Sequence, residues 1–490
     1  MNEIEQRLAE LEQLGLTRRL RLVSGPQGAT VLVDGKPVLL LCSNNYLGLA
    51  DHPRVREAAA DAAMRWGVGA GSSRLVSGTM TIHGRLEEQL AEFKGSEACV
   101  LFGSGYLANI GVIGALAASG DTVFSDELNH ASIIDGCRLS RAEVIVYRHR
   151  DVEHLDWSLR KHARRECRRL IVTDSVFSMD GDVAPLTAIA ELADIHGARV
   201  LVDEAHATGN LGPGGRGAVA EARLEGEIDV VVGTLGKALG SYGAYVCASE
   251  EIVRYLINCA RPLIYSTAPS PPAVAGALAA LSLLRERPHR VQRLRANARL
   301  LRGALAAEGF PVADTDMHIV PLIVGEPRTT MRLCQAALER GVFAQAIRPP
   351  SVTEGFSRLR LTAMASHTAS ELEMAAGVLG DAARAAGVEP EAFIPALSER
   401  HEEALEPVSE PGLAYAETSP APANGAAAPF DLERHLDEAD ATAPAPATAG
   451  AAPFDLERHL DGAEAPAPAL ASGTAAPFDL ERDLQDVRAA

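Results

Sequence analysis

Aromatic residues are scarce, 4% of 490 with two tryptophans, which argues against a stacking platform for single-stranded nucleic acid. Basic residues are in deficit. Lys and Arg number 46 against 65 Asp and Glu, a net charge of −19, whereas a phosphate-coating surface needs the reverse. No uninterrupted apolar run approaches the length of a membrane span. The amino terminus, Met-Asn-Glu-Ile-Glu-Gln-Arg-Leu, lacks the apolar stretch of a secretory signal. Seven cysteines include no Cys-x-x-Cys pair, and an odd, scattered set reads as reduced thiols rather than disulfides or zinc ligands. These absences predict a cytoplasmic protein without a metal centre, with neither nucleic acid nor membrane as its partner.

The negative charge is uneven. Residues 401–490 hold 18 acidic against 4 basic residues, a net of −14, which leaves −5 for residues 1–400. Ile4, Leu8, Leu11 and Leu14 recur at helical spacing and predict a short amphipathic helix within an N-terminal arm over 1–50. From 51 to 285, helical stretches alternate with the apolar runs Ala98–Phe102, Val144–Tyr147, Leu170–Thr173, Val200–Val202, Val230–Val232 and Tyr245–Ala248. That alternation predicts a large α/β domain of βα repeats around a mainly parallel sheet buried on both faces. After Pro288, Val291, Leu294, Ala298, Leu301 and Leu305 mark one helix face, while Arg290, Arg293, Arg295, Arg299 and Arg302 fall mostly on the other and read as solvated. Apolar runs at Ile319–Val324 and Arg358–Leu361, with a helix near Met331–Arg340, complete a smaller α+β domain over 286–387.

From 388 to 490 the composition predicts a disordered tail, because 25 Ala and 11 Pro in residues 401–490 leave too little apolar bulk for a core. Within it Ala-Ala-Pro-Phe-Asp-Leu-Glu-Arg occurs three times, with Phe430, Phe454 and Phe478 each 24 positions apart. Phe430, Leu432 and Leu436 offer three apolar anchors within seven residues. So short a turn does not hold itself folded in water, but docked in a groove it supplies small anchors, and repetition multiplies affinity. Tandem duplication without function is the plainer reading. Diverged spacers around nearly constant cores favour a multivalent docking tail for an unidentified protein partner.

Several strand ends carry chemistry. Lys237 lies in Thr234-Leu235-Gly236-Lys237, directly after an apolar run. Asp203-Glu204-Ala205-His206 follows another, at the carboxyl end of a strand, where open α/β sheets bind ligands. The same four residues spell the DEAH box of helicases, but the chain has no Gly-x-x-x-x-Gly-Lys-Ser/Thr loop and that reading fails. In Leu101-Phe102-Gly103-Ser104-Gly105-Tyr106 a strand meets a glycine turn and a helix starting near Leu107, whose first amides suit a phosphate. Pyridoxal phosphate needs a lysine for its Schiff base, an acid for its pyridinium nitrogen, donors for its phosphate and a group flanking its ring. Lys237, Asp203, Gly105–Tyr106 and His130 supply these four in turn.

Ser43-Asn44-Asn45-Tyr46-Leu47-Gly48, Asp126-Glu127-Leu128-Asn129-His130-Ala131-Ser132, Ser178-Met179-Asp180-Gly181, Asp203–His206 and Thr234–Lys237 together resemble the α-oxoamine synthases over about residues 1–385. These are fold-type I pyridoxal-phosphate transferases. Ala346-Ile347-Arg348-Pro349-Pro350-Ser351 and Arg358-Leu359-Arg360-Leu361 look most like the 8-amino-7-oxononanoate synthases among them. The resemblance implies a homodimer with a shared active site. It also implies condensation of L-alanine with a pimeloyl thioester, carried by CoA or an acyl carrier protein, in biotin biosynthesis. It places His206 and Ser178 near the cofactor's phenolic oxygen, and Thr234 at its phosphate with Ser266 and Thr267 from across the dimer. Arg360 would grip the amino-acid carboxylate, and Arg18 and Ser351 would meet the acyl substrate, with Arg19 and Arg21 as alternatives to Arg18. Structural readings stand beside these. Ser178 and Thr234 also suit caps of helices or turns, His206 suits a satisfied core position, and Arg360 suits a buried ion pair. A related α-oxoamine synthase, or an assembly component recruited through its tail, are the other functions the chain admits.

Overall fold

The computed structural model describes residues 2–162 and 167–395. The expected disorder of the repeat-bearing tail lies, from residue 396 on, outside the described residues.

A seven-stranded sheet forms the centre of the large domain. Across it run Ala98–Phe102, Ala244–Ala248, Val230–Thr234, Arg199–Asp203, Arg169–Asp174, Thr122–Asp126 and Glu143–Tyr147. Ala244–Ala248 alone runs against its neighbours, and the remaining pairings of the sheet are parallel. Side chains alternate between faces along each strand, so both faces need apolar residues. Leu101, Val202, Val231 and Tyr245 point into a core with the helices Pro53–Trp66, Thr81–Lys94 and Pro271–Glu286. Val100, Leu201, Val232 and Val246 join the opposite core beneath Gly105–Leu116, Ala131–Ser140 and Glu250–Cys259.

The strand Thr122–Asp126 is absent from the sequence reading because its polar residues disguise it. All five of its residues are buried, and Asp126 is satisfied by the amides of Leu128 and Arg150 and by His149. With it in place, the parallel strands end in a row at Asp126, Asp174, Asp203 and Thr234.

The smaller domain is an antiparallel sheet of Ile319–Gly325, Ser357–Thr362 and Gln345–Ile347, packed against the helices His289–Ala307, Pro327–Glu339 and Ala369–Ala385. The N-terminal arm joins it: Thr30–Val33 and Lys36–Leu40 form a hairpin, and Lys36–Leu40 pairs in parallel with Val342–Phe343. The opening helix forms over Glu3–Gln13, closed at its start by a capping box between Asn2 and Glu5. Its apolar side chains Ile4 and Leu8 remain exposed.

Two expectations need correction. The packed chain does not stop at 387, because Phe393 is buried against Phe310 and the Ile394 amide donates to the Ile323 carbonyl. Residues 388–395 therefore belong to the small domain. Nor is the arginine face of His289–Ala307 solvated throughout. Arg302 is buried and donates to the carbonyls of Ala313, Met317 and Ile319, and Arg290 donates to the Leu47 carbonyl. Periodicity gives the face of a residue but not which carbonyl-rich loop folds over it.

Candidate active site

Lys237 sits in the turn after Val230–Thr234, half-buried. Its Nζ lies 2.8 Å from His206 Nε2. Burial is the main cause that lowers its amine to about 8, and the Arg360 charge adds to this while Asp203 and Asp174 oppose it. An amine so placed is partly neutral near physiological pH. His206 is itself buried, and burial with the charges of Lys237 and Arg360 holds its imidazole well below its usual range. The neutral ring accepts from Lys237 at Nε2, so its proton is on Nδ1, 2.6 Å from the Tyr46 hydroxyl. Tyr46 donates onward to Asn44 Oδ1 at 3.0 Å. The core-histidine reading and the functional one therefore merge: both ring nitrogens are satisfied, one of them by the lysine.

Asp203 ends its strand level with Asp174 on the neighbouring one. Two buried carboxyls side by side do not both ionise cheaply. Burial and the charge of Asp203 push Asp174 well above the usual carboxylate range. Asp203 instead has donors, the Ala205 amide at 2.8 Å on one oxygen and Asn109 Nδ2 at 2.7 Å on the other. Both carboxyl oxygens of Asp203 thus act as hydrogen-bond acceptors at the end of its strand. His130 opens the helix Ala131–Ser140 as its N-cap, with its amide donating to Asp174 at 2.6 Å and its ring bonded at Nδ1 to Ser132 Oγ, a part-buried contact.

The helix predicted from Leu107 begins at Gly105. Ser104 is its N-cap and takes the amide of Leu107 on its hydroxyl and that of Ala108 on its carbonyl. Among the described residues the amides of Gly105 and Tyr106 are left as free first-turn donors. A side chain built on Gly105 would meet nothing within 4 Å. A pair of first-turn donors, a lysine, a hydrogen-bonded carboxyl group and an imidazole fit pyridoxal phosphate.

Arg358 and Arg360 lie on the strand Ser357–Thr362, and both are buried. Arg358 is ion-paired to Asp180 at 2.5 Å. Arg360 has only neutral acceptors among the described residues: the Ser178 carbonyl, Asn44 Oδ1 at 3.2 Å and the Tyr46 hydroxyl at 3.5 Å. The structural ion pair, one of the readings for Arg360, belongs to Arg358, and Arg360 has no carboxylate partner among the described residues. Ser178 enters through its backbone. Thr234 donates its hydroxyl to the Gly243 carbonyl and accepts the Gly236 amide, each at 3.1 Å, which is the turn-capping reading. Ser266 and Thr267 lie away from these groups in the hydrogen-bond pattern, Thr267 bridging to Ser73. Arg18 and Ser351 meet in a separate pocket of about 550 Å³, lined also by Arg19, Arg21 and Arg348. Gln345 in its wall is the strand partner of Arg360, so the pocket begins one strand away from that arginine.

Tyr46, Asn109, Ser132 and Asp174 took no role in the sequence reading. Tyr46 and Ser132 lay within quoted motifs, but nothing local to Asn109 or Asp174 distinguishes them from core residues.

The family model of aminotransferase class I and II matches residues 36–379. An 8-amino-7-oxononanoate synthase of Geobacter sulfurreducens is 50% identical over 383 residues, 78% of this chain and 98% of that protein. A serine palmitoyltransferase solved with PLP superposes with a TM-score of 0.75 at 35% identity, over 79% of this chain and 98% of that one. The 8-amino-7-oxononanoate synthase of Francisella tularensis superposes with a TM-score of 0.61 at 26% identity, over 72% and 99%. With the site geometry and these likenesses in agreement, the chain belongs to the aminotransferase class I and II family, in its α-oxoamine synthase branch.

Proposed function

We propose that this chain is a pyridoxal-phosphate-dependent acyltransferase. It condenses L-alanine with a pimeloyl thioester, giving 8-amino-7-oxononanoate, carbon dioxide and the free thiol in biotin biosynthesis. The observation that carries the reading is the Lys237 amine, 2.8 Å from His206 Nε2 and lowered to about 8, in one site with Asp203, whose two oxygens take N–H groups of Asn109 and Ala205. When bound, the cofactor supplies a sink for the electron pair released at the amino-acid α-carbon. Lys237 would hold it by its aldehyde, Asp203 would meet its ring nitrogen, His130 would flank its ring and the amides of Gly105 and Tyr106 would bind its phosphate. Arg360 pairs with the alanine carboxylate. The Lys237 amine would take the α-proton at Nζ, and its lowered pKa suits both receiving and returning that proton. His206 accepts from the lysine and so aims it. The arginine pocket of Arg18 and Arg348, with Ser351, holds the acyl substrate, whose far carboxylate is the natural mate of guanidinium.

Lys237→Ala is expected to abolish turnover together with the absorbance band that depends on the covalent link between this lysine and the cofactor aldehyde. A variant that kept either would remove the assignment. Steady-state rates with alanine, glycine and serine against several acyl thioesters, on CoA and on carrier protein, separate this activity from those of other α-oxoamine synthases.

We extend the proposal to a cytoplasmic homodimer. Leu75, Val76 and Tyr265 are exposed beside the bridge of Ser73 with Thr267, an apolar area suited to burial by a second copy. That copy would bring Ser266 and Thr267 to the phosphate. No helix among the described residues is long and apolar enough to cross a membrane. The three Pro-Phe-Asp-Leu-Glu-Arg repeats serve as a multivalent docking tail.

A further inference from the structure

The strongest unassigned feature is a chain of hydrogen bonds linking Asp203 to His130 through two buried residues of neighbouring helices. Asn109 and Ser132 are each 1% exposed. The Asn109 amide donates to Asp203 Oδ2 at 2.7 Å and to Ser132 Oγ at 2.9 Å. Its orientation is not free, because turning the amide over would set its carbonyl against a carboxylate. Its own carbonyl oxygen is buried without a partner. An orphaned acceptor costs stability that a leucine of similar shape would spare. What asparagine supplies and leucine does not is two donors at one point, one for each neighbour.

The direction of the next bond follows. Ser132 Oγ already accepts from Asn109, and the hydroxyl hydrogen needs an acceptor of its own. His130 Nδ1 stands 2.7 Å away, and the Ser132 amide also donates to it at 3.2 Å. Nδ1 is therefore an acceptor, and the ring proton is on Nε2. We propose that Asn109 and Ser132 are positioning residues which fix His130 as its Nε2–H tautomer and present that N–H to the amino-acid substrate. They do this while anchoring the carboxylate of Asp203. The inference rests on the reading of the site given above and names what sets the hydrogen-bonding state of its ring-flanking histidine. The arrangement also restrains protonation. A second proton can enter only at Nδ1, where it displaces the serine hydrogen. Burial lowers the imidazole, the Lys237 charge acts the same way and Asp203 opposes them. Asp174, which accepts the His130 amide, is a further titratable group in contact, and the His206 ring also acts on His130 electrostatically.

The test uses the full-length holoenzyme without acyl thioester, so that no turnover occurs. Absorbance of the bound cofactor is titrated with alanine, glycine and serine between pH 6 and 9, for wild type, Ser132→Ala, Ser132→Thr and Asn109→Leu. Ser132→Ala is expected to weaken amino-acid binding about tenfold, the equivalent of one hydrogen bond, and to add an ionisation below pH 7 to the affinity profile. Ser132→Thr keeps the hydroxyl and restores both affinity and profile. Asn109→Leu retains the serine but frees its hydrogen, and so shows the added ionisation together with weaker cofactor retention. Wild-type affinity and pH profile in Ser132→Ala, or no rescue by threonine, overturns the proposal. If Ser132→Ala does not fold, Asn109→Leu with an unchanged profile overturns it alone. Failure of the underlying reading shows differently, as wild-type protein that takes up no cofactor. Failure of the alanine assignment shows as a response to glycine or serine only, and the variants are then compared on that amino acid.

Discussion

Arg358 and Arg360 stand two residues apart on one strand and so share a face, yet their surroundings give them opposite work. Arg358 is matched by Asp180 at 2.5 Å and by the Met179 carbonyl at 3.2 Å. Removing one member of a buried pair strands the other charge, so Arg358→Gln is expected to cost about 3–5 kcal/mol in urea unfolding. Its effect on amino-acid affinity in the folded enzyme should be small. Arg360→Gln reverses the pattern: the urea midpoint stays near wild type, while amino-acid affinity, read from cofactor absorbance, falls about a hundredfold with the loss of a charge-assisted pair. Equal behaviour of the two variants would contradict the division of roles. Lys237 gives a pH test at the same scale. Its folded pKa of about 8 lies below the ordinary 10.5, and its neutral amine is the form that reacts with an aldehyde. The rate at which cofactor-free enzyme takes up pyridoxal phosphate should therefore rise with pH and level off above about 8. A rise that continued toward 10.5 would mean the amine is not desolvated as described.

The loop Ser178–Asp182 shows how an element places a residue that it does not contain. Its Ser178 carbonyl holds Arg360, its Asp180 holds Arg358, and its Asp182 is tied to His149 and Arg150 at 2.9 and 3.2 Å. His149 also bonds Asp126 at 2.9 Å, at the end of its strand. Burial alone would lower His149, but hydrogen bonds to Asp126 and Asp182, with their charges, outweigh it and raise the imidazole to about 9. The folded value exceeds the unfolded one of 6.5, so this stabilisation is complete below pH 6.5 and is lost as pH rises through about 9. Relative to His149→Gln, wild type should lose on the order of 3 kcal/mol of unfolding free energy between pH 6.5 and 9.5. Parallel pH dependence of the two proteins would show that His149 is not held as a cation. This element also marks the limit of what the sequence discloses. His130, Asp203, His206 and Lys237 could be proposed because α/β sheets put ligands at strand ends and the strands were apolar enough to recognise. The strand Thr122–Asp126 was hidden, because its polar groups are satisfied only by distant residues such as His149 and Arg150. Asn109 was hidden for the same reason. It looks like one more residue of an apolar helix until the fold brings Asp203 and Ser132 to its amide. Arg302 erred in the other direction, since helical spacing alone placed it on a face that the loop at 313–317 covers.

Over the whole molecule, the catalytic part and the surplus are separable by length. The Geobacter sulfurreducens relative is matched over 98% of its own residues by 78% of this chain. The core closes on itself at Phe393 and Ile394, which seal the small domain against Phe310 and Ile323. The 401–490 segment, with its net charge of −14 and its three Phe-containing repeats, is therefore additional to what the chemistry requires. If it serves docking, its loss should leave catalysis intact and remove association. A chain ending at residue 400 is expected to retain kcat, KM and thermal midpoint within about twofold or a few degrees of the full protein. In a pull-down, the tail with all three phenylalanines should retain a set of proteins that Phe430/Phe454/Phe478→Ala does not, and restoring one repeat should recover far less than one third of the capture. That disproportion is the mark of multivalency, because each further repeat binds at the high effective concentration created by the first. Recovery in simple proportion to repeat number would mean independent weak sites, and equal capture by the intact and substituted tails would leave the repeats as duplicated sequence without a docking role.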